Sequence, residues 1–223
     1  MNKDLTITTV IFNNTLPSHK LPLFRGAVIN MLQQDNILFH NHEEEGLRYS
    51  YPLIQYKLIN KHAAIVCIGK GSEAINSFFS AYNSEISLAG HHMTLHLQSV
   101  NCDTVTIGIS ESLHNYRLTG WMPLNADNFR LYSDTESISG KCRILEKILI
   151  GNILAFAKGI GLFFEEEIHC PITDILRQYV LTYKNIKFVG LDILFKSNVM
   201  LPSGIGLGKG VSVGFGTVTS IDD

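Results

Sequence analysis

The stretch LPSGIGLGKGVSVGFGTV, residues 201–218, carries six glycines between Gly204 and Gly216. Glycine loses more backbone freedom on ordering than any other residue, so this density excludes an ordinary helix or strand interior. The backbone here must come close to something else. Glycine-rich turns can direct N–H groups at phosphate oxygens, and glycines also let a loop pack tightly against another part of a protein. The stretch by itself leaves both interpretations open.

Two common nucleotide-binding motifs do not fit this stretch. A P-loop requires a glycine five residues before the glycine of its Gly-Lys pair and a Ser or Thr after the lysine, but Ser203 and Gly210 stand at these positions. A dinucleotide-binding GxGxxG motif fails as well, because no frame supplies the third glycine. The sequence therefore does not predict a bound nucleotide cofactor.

The composition is that of an ordinary globular protein. The chain has 223 residues, of which 45% are hydrophobic and 17% are charged, enough for one large or two small domains. The formal net charge is −2, so a polyanionic partner must be bound by a local basic patch. Neither an apolar run of membrane-spanning length nor a secretory signal is present. We expect a cytoplasmic protein with no membrane partner.

The four cysteines are widely spaced and form neither a CxxC pair nor the Cys/His spacing of a zinc site. In a reducing compartment we predict that they are buried apolar side chains rather than ligands or disulfides. They are Cys67, Cys102, Cys142 and Cys170. We therefore expect neither a metal nor another cofactor.

The first hundred residues predict the order β-α-β-β-α-β of a ferredoxin-like fold, in the α+β class. Alternating β-branched residues indicate strands, and apolar residues at helical spacing indicate helices, the second with Ser72 as its N-cap. Trp121 and the Phe78-Phe79 pair are predicted core residues, and His91, His92 and His96 partly buried strand residues. The segments in chain order are LTITTVIF, PLFRGAVINMLQQD, PLIQYKLIN, AAIVCIG, GSEAINSFFSAYN and HHMTLHLQSV.

The second half resembles a reduced version of the first. A polar, turn-rich segment from residue 123 to 137 places a boundary between domains 1–122 and 123–223, and helix-patterned and strand-patterned segments follow it. Two of the strands alternate basic with apolar residues, which predicts one basic face. The basic residues are Arg177, Lys184, Lys187 and Lys196.

The glycine-rich stretch, preceded by FVGLDILFKSN, matches the pattern LPxxIGLGKxxSxGFGT. It resembles the C-terminal signature of the CRISPR-associated repeat-cleaving endoribonucleases, a family of the RAMP superfamily. PLFRGAVIN and the later FHNHEEEGLRYSYPLIQYK resemble the first helix and the histidine-bearing loop of that family. One departure is Val213, because the family often has a basic residue just before the GFG.

The resemblance implies two tandem ferredoxin-like (RRM-like) domains with the glycine-rich loop behind an RNA-binding cleft. It also implies CRISPR repeat RNA, other CRISPR effector proteins and a second copy of the chain as partners. Phosphate contacts are expected from Arg48 and from Arg25, for which a structural ion pair is the equal alternative. The loop residues expected to contact RNA are Gly204, Gly206, Gly208, Lys209, Gly210, Gly214 and Gly216.

Metal-independent RNA cleavage uses the neighbouring 2′-hydroxyl as nucleophile, with a base, an acid and positive charge near the phosphate. Histidine suits both proton-transfer roles, since its pKa lies near neutral pH. We predict that His40 is the main proton-transfer residue and His42 its helper, with Tyr49 or Lys57 in support. Spacing does not assign base and acid. The same histidines also fit a plain solvent-exposed loop.

Three functions therefore compete. The first is an endoribonuclease that cuts CRISPR repeat transcripts into guide RNAs and leaves a 2′,3′-cyclic phosphate. The second is a non-catalytic RAMP-type subunit that binds repeat RNA. The third is a dimeric ferredoxin-like protein without an RNA role, in which the glycines serve packing alone.

Overall fold

A computed structural model describes residues 2–32, 37–40, 42–43, 46–47, 51–88, 90–184 and 186–221. Within these ranges the chain divides into two compact units. The N-terminal unit comprises Asp4–Val105 and, from the glycine-rich stretch, Ser212–Gly214; the C-terminal unit comprises Thr106–Val211 with residues 2–3 and 215–221. The division after Val105 lies upstream of the boundary that the sequence places after residue 122.

The N-terminal unit contains a four-stranded sheet with the order β4-β5-β1-β8. β5 pairs antiparallel with both β4 and β1. Counting only the four sheet strands, this is the order 2-3-1-4 of the predicted ferredoxin-like fold. The elements are β1 (Lys3–Thr15), α1 (Leu21–Met31), α2 (Ile37–His40), β2 (His42–Glu43), β3 (Gly46–Leu47), β4 (Ile54–Ile59), β5 (His62–Ile68), α3 (Lys70–Ala81), β6 (Glu85–Leu88), β7 (His91–Thr94) and β8 (Leu97–Ile107).

Aromatic rings fill the core on the helix side of this sheet. Phe12 of β1 lies with its ring centroid 5.9 Å from those of Phe24 in α1 and Phe78 in α3, both in edge-to-face geometry. Such pairs stabilise a core beyond the area that they bury. Phe78 is fully buried, as predicted, whereas Phe79 is half-buried. α1 and α3 thus pack on the same face of the sheet.

Several local predictions for the N-terminal unit are wrong. α3 is capped by Gly69, and Ser72 lies inside the helix, where its hydroxyl donates to the carbonyls of Thr6 and Cys67. The three histidines predicted as partly buried are exposed, since the β6–β7 hairpin and the segment that follows it lie outside the four-stranded sheet. They are His91, His92 and His96.

The cysteines divide into two groups. Cys67 and Cys170 are buried as predicted, and burial raises the pKa of each thiol, that of Cys170 to about 12. Cys102 is exposed and Cys142 is half-buried, contrary to the prediction. All four are free thiols.

The C-terminal unit repeats the topology with one helix replaced. Its sheet has the order β10-β11-β9-β12, again 2-3-1-4, so the predicted α+β class with two ferredoxin-like folds is confirmed. The second crossover, residues 200–216, contains no α-helix, only the glycine-rich stretch with a short 3₁₀ turn. The elements are β9 (Ile109–Trp121), α4 (Ala126–Asp134), α5 (Ile138–Gly159), β10 (Ile172–Tyr183), β11 (Ile186–Val199) and β12 (Thr217–Ser220).

α5 packs its apolar stripe on one face of this sheet. The helix begins after Ser137, whose hydroxyl accepts from the Gly140 N–H at 3.2 Å. Trp121, fully buried as predicted, donates its indole N–H to Asn152 Oδ1 of α5 at 2.9 Å. The buried residues of the helix are Leu145, Leu149, Ile153, Phe156 and Ala157. No helix in the described ranges is long and apolar enough to cross a membrane.

The predicted single basic face is divided between the two faces of the sheet. Arg177 lies opposite Asp192, and Lys196 is four residues from Asp192, so both belong to the face opposite α5. Lys187 pairs with Thr182 and is five residues from Asp192, which places it on the other face. Successive side chains of a strand point to opposite faces of the sheet, so residues share a face only when an even number of positions separates them. The basic residues do not all meet this condition.

Candidate functional site

Most of the glycine-rich stretch, all but Ser212–Gly214, is folded closely onto the C-terminal unit. The Gly216 N–H donates to the Gly120 carbonyl at 3.1 Å, and the Gly216 carbonyl accepts from the Leu207 N–H at 2.7 Å. Gly216 has φ +62°, and a Cβ there would collide with the Leu207 carbonyl. Only glycine fits this position, because the backbone conformation and the space both exclude a side chain.

Two of the N–H groups predicted to contact phosphate are already used within the protein. The Gly204 N–H donates to the Val218 carbonyl at 2.9 Å, and the Gly216 N–H is bonded as described. A phosphate contact from either group would require an internal hydrogen bond to break, which removes the advantage of a preformed anion site.

Three further glycines allow close packing in the same unit. A Cβ at Gly206 would lie 2.5 Å from Val211 Cγ1, one at Gly208 would lie 2.9 Å from the Trp121 indole nitrogen, and one at Gly210 would lie 2.7 Å from Phe215 Cδ2. Packing therefore accounts for much of the glycine density, which the sequence had left open between packing and phosphate binding.

Gly214 brings the stretch against β4 within the N-terminal unit. A Cβ there would lie 2.6 Å from Leu21 Cδ1, 3.5 Å from the Tyr56 carbonyl oxygen and 4.0 Å from the Lys57 Cα. Residues of the strongest sequence motif and of the predicted site thus meet in the fold. The contact places Ser212–Gly214 beside a strand whose central residues are buried and polar.

Lys57 is enclosed in the protein, with 2% of its surface exposed. It alternates along β4 with Tyr56, which faces the aromatic core, so its side chain leaves the opposite face of the sheet. Burial lowers the pKa of its ammonium from about 10.5 to about 7. Lys57 can therefore exchange a proton near neutral pH, which an exposed lysine does not do.

This burial predicts a distinctive dependence of stability on pH. Below pH 7 the Lys57 side chain is protonated in both the folded and the unfolded protein, and burying the ammonium destabilises the folded protein. Above about 7 the folded state releases the proton before the unfolded state does, so the free energy of unfolding rises with pH. We expect Lys57→Met to remove a slope of up to about 1.4 kcal/mol per pH unit.

Urea denaturation between about pH 7 and pH 8.5 measures this slope, and the unfolded thiols, with an ordinary pKa of about 8.5, contribute equally in wild type and variant. The stability gain of the Met variant over wild type should shrink as pH rises. The same exchange at the exposed Lys70 provides the matched control, because it removes no buried ammonium. If the free energy of unfolding has the same dependence on pH in wild type and in Lys57→Met, burial does not lower the pKa of Lys57.

A half-buried cation and a buried phenol lie on the core side of β4, the face opposite the Lys57 side chain. Arg25 of α1 is half-buried, and its guanidinium acts electrostatically on the Tyr56 hydroxyl. Burial raises the pKa of this hydroxyl well above its ordinary range, and Arg25 opposes that rise. Next to them, Gln55 donates to the Tyr51 hydroxyl at 2.8 Å and to the Pro52 carbonyl at 3.0 Å. Gln55 and Tyr56 are not among the site residues predicted from the sequence, although polar residues alternating through PLIQYKLIN indicate a strand with two different faces.

The two predicted catalytic histidines lie at the junction of two short elements. α2 ends at His40, and β2 begins at His42 and pairs with β3 through His42 and Leu47. Phe39, 1% exposed, belongs to the aromatic core and anchors α2 immediately before His40. The core therefore determines where the histidine segment starts. Arg48 and Tyr49 lie outside the described residues.

Among the described residues, no group of three or more His, Cys, Asp and Glu side chains is placed to hold a metal ion. What the N-terminal unit does bring together is Gly214, the backbone of Tyr56 and Lys57 in β4, and Arg25, whose guanidinium acts on the Tyr56 hydroxyl. Arg25, which is half-buried, is the cation of this group that suits a phosphodiester, whose charge it can offset.

Comparison with known families covers nearly the whole chain. A family model of the Cas6b N-terminal domain matches residues 3–106, and a model of the Cas6b C-terminal domain matches residues 108–221. The chain belongs to the Cas6b family. This confirms the resemblance found in the glycine-rich stretch, and both halves of this Cas6b chain take part in the match.

Known proteins similar to this Cas6b chain include two solved structures. A crystal structure of Cas6b is 28% identical with a TM-score of 0.86, and one of a CRISPR RNA processing endoribonuclease Cas6b is 27% identical with a TM-score of 0.75. Each match covers 98% of this chain and 100% of the other. The uncharacterized protein MJ0978 of Methanocaldococcus jannaschii is 33% identical over 117 residues, 52% of this chain and 78% of that protein.

Proposed function

We propose that this protein cleaves CRISPR repeat transcripts into guide RNAs by attack of a 2′-hydroxyl on the adjacent phosphate, without a metal ion. As a member of the Cas6b family the chain is an endoribonuclease of CRISPR RNA processing. The observation that carries the proposal is this membership together with the meeting of Gly214 and Lys57. The attack breaks the bond to the 5′-oxygen, so the products are a 2′,3′-cyclic phosphate and a 5′-hydroxyl.

In this proposal His40 and His42 transfer the protons. One histidine takes the proton of the attacking 2′-hydroxyl, and the other donates a proton to the departing 5′-oxygen. Their place at the end of α2 and the start of β2 supports the proposal, because paired short elements restrict a histidine segment more than an open loop does.

Tyr49 and Lys57 support the reaction in this proposal. Because Lys57 is buried, its role is to hold β4 and the adjoining Gly214 in place. Arg25, Arg48, Lys209 and the remaining loop glycines contact the RNA backbone, and Gly204 and Gly216 contribute by shaping the loop. Phosphate contacts of this kind position RNA without selecting its sequence.

A second candidate, a non-catalytic subunit that binds repeat RNA, is favoured by Val213 at the position where the family often carries a basic residue. It shares the fold and the loop with the first candidate. Cleavage alone separates the two.

The deciding experiment incubates the purified protein with end-labelled repeat RNA in EDTA. We expect one cut that leaves a 2′,3′-cyclic phosphate, and no cut in RNA with a 2′-deoxy substitution at that nucleotide, because the nucleophile is then missing. Binding without cleavage would establish the second candidate. Absence of binding at low salt, where phosphate contacts are strongest, would reject both.

A further inference from the structure

On the sheet face opposite α5, three aromatic rings each make a cation–π contact with a basic side chain. The Arg177 guanidinium lies 5.0 Å from the centroid of Tyr179, and Lys184 Nζ lies 5.8 Å from that of Tyr183. Lys209 Nζ of the glycine-rich stretch lies 4.2 Å from the centroid of Phe188. The three cations are exposed and the three rings are half-buried. We call Tyr179, Tyr183 and Phe188 the ring row.

The pairing of β10 with β11 makes the ring row continuous. Tyr179 and Tyr183 lie on one face of β10 with Leu181 between them, and Phe188 is the partner of Leu181 across the pair. Side chains two residues apart on a strand are separated by about 7 Å. Phe188 is thus the diagonal neighbour of both tyrosines across the strand pair, a spacing of about 7–8 Å, which successive bases of an extended RNA strand can reach.

Two contacts hold the row in place. The Tyr179 hydroxyl donates to Asp192 Oδ1 at 2.9 Å, and the same oxygen accepts from the Gly120 N–H at 2.8 Å. Tyr183 packs edge-to-face on Phe215, with 5.5 Å between their centroids. Asp192 is buried, so its charge is bound within the protein and does not oppose RNA at the surface.

We propose that the ring row is a stacking site for unpaired bases of the RNA, with bases replacing the cations on the ring faces and the cations moving to the flanking phosphates. The inference rests on the proposed function and extends it to a binding site in the C-terminal unit. Every base has a π-face, so such a site tolerates different sequences. A duplex does not fit, because its bases are stacked on each other and closed to the rings.

The test uses short 2′-deoxy oligoadenylate containing 2-aminopurine, which binds without being cleaved. Wild type should quench the fluorescence of 2-aminopurine, and Tyr183→Leu or Phe188→Leu should abolish most of the quenching and weaken binding about 10-fold each. Phe188→Trp, which keeps a ring, should retain the affinity and so separates stacking from a folding defect. Val180→Ala is the matched control, because this exposed side chain lies on the opposite face of β10.

The cations give an independent readout. Lys209→Gln should reduce the slope of log affinity against log salt by roughly 0.7, the value for one phosphate contact with a single strand, whereas the Leu variants should leave the slope unchanged. Wild-type quenching and affinity in both Leu variants, or equal affinity of wild type for duplex RNA, would overturn the inference. Loss of repeat cleavage with the quenching intact would instead count against the proposed function alone.

Discussion

The His40→Ala variant is expected to cleave repeat RNA roughly 100-fold or more slowly than wild type while binding it with similar affinity. General acid-base catalysis contributes about this factor, and alanine transfers no proton. Single-turnover cleavage at saturating protein measures the chemical step separately from binding. A gel shift with RNA carrying a 2′-deoxy group at the cut measures binding under conditions in which no product forms.

Matched controls exist within the chain. His91→Ala removes an exposed histidine on the β6–β7 hairpin and should cleave like wild type. The double variant of His40 and His42 should be about as slow as the slower single variant, because residues that act as one unit are not additive. Wild-type cleavage by the double variant would remove the histidine site from the proposal.

Gly216→Ala is expected to lower the free energy of unfolding by about 3 kcal/mol. The left-handed conformation at φ +62° costs a non-glycine residue about 1 kcal/mol. The larger part comes from the collision of the new Cβ with the Leu207 carbonyl, since relieving it displaces the hydrogen bonds to Gly120 and Leu207, each worth about 1 kcal/mol. Urea denaturation monitored by the fluorescence of Trp121 reports on this unit.

Gly204→Ala separates the two causes. Gly204 has φ +89°, but a Cβ there would meet no atom within 4 Å, so this variant bears the conformational cost alone. We expect it to lose about 1 kcal/mol. Equal losses in both variants would show that the contact with Leu207 contributes nothing and that the loop does not pack as described.

The sequence predicted the type of most elements because the period of apolar residues reports it directly. LTITTVIF lies in β1, GSEAINSFFSAYN covers most of α3, and the apolar stripe of the second half forms α5. The residues at which helices and strands begin and end were harder to predict from the sequence. The cap of α3 is Gly69 rather than Ser72, because β1 and β5 place their carbonyls where the serine hydroxyl can donate to them.

The site was predictable in part. The histidine segment and the glycine-rich stretch are recognisable as strings of residues, so the sequence indicates both. The burial of Lys57 and its approach to Gly214 are not recognisable, because 157 positions of chain separate the two residues. The sequence also did not show that the basic residues lie on two faces of the sheet, since the face that a strand residue occupies depends on the register of its strand.

By itself, then, the sequence determined the family, the α+β class and the need for glycine in residues 201–218, because these follow from residue order and local backbone chemistry. Only the tertiary structure decided what the glycines contact. It shows Gly216 held against Leu207 and Gly120, and Gly214 against β4 beside Lys57. The physical reason is that packing and strand register join residues far apart in the chain, and they determine which backbone groups remain available to RNA.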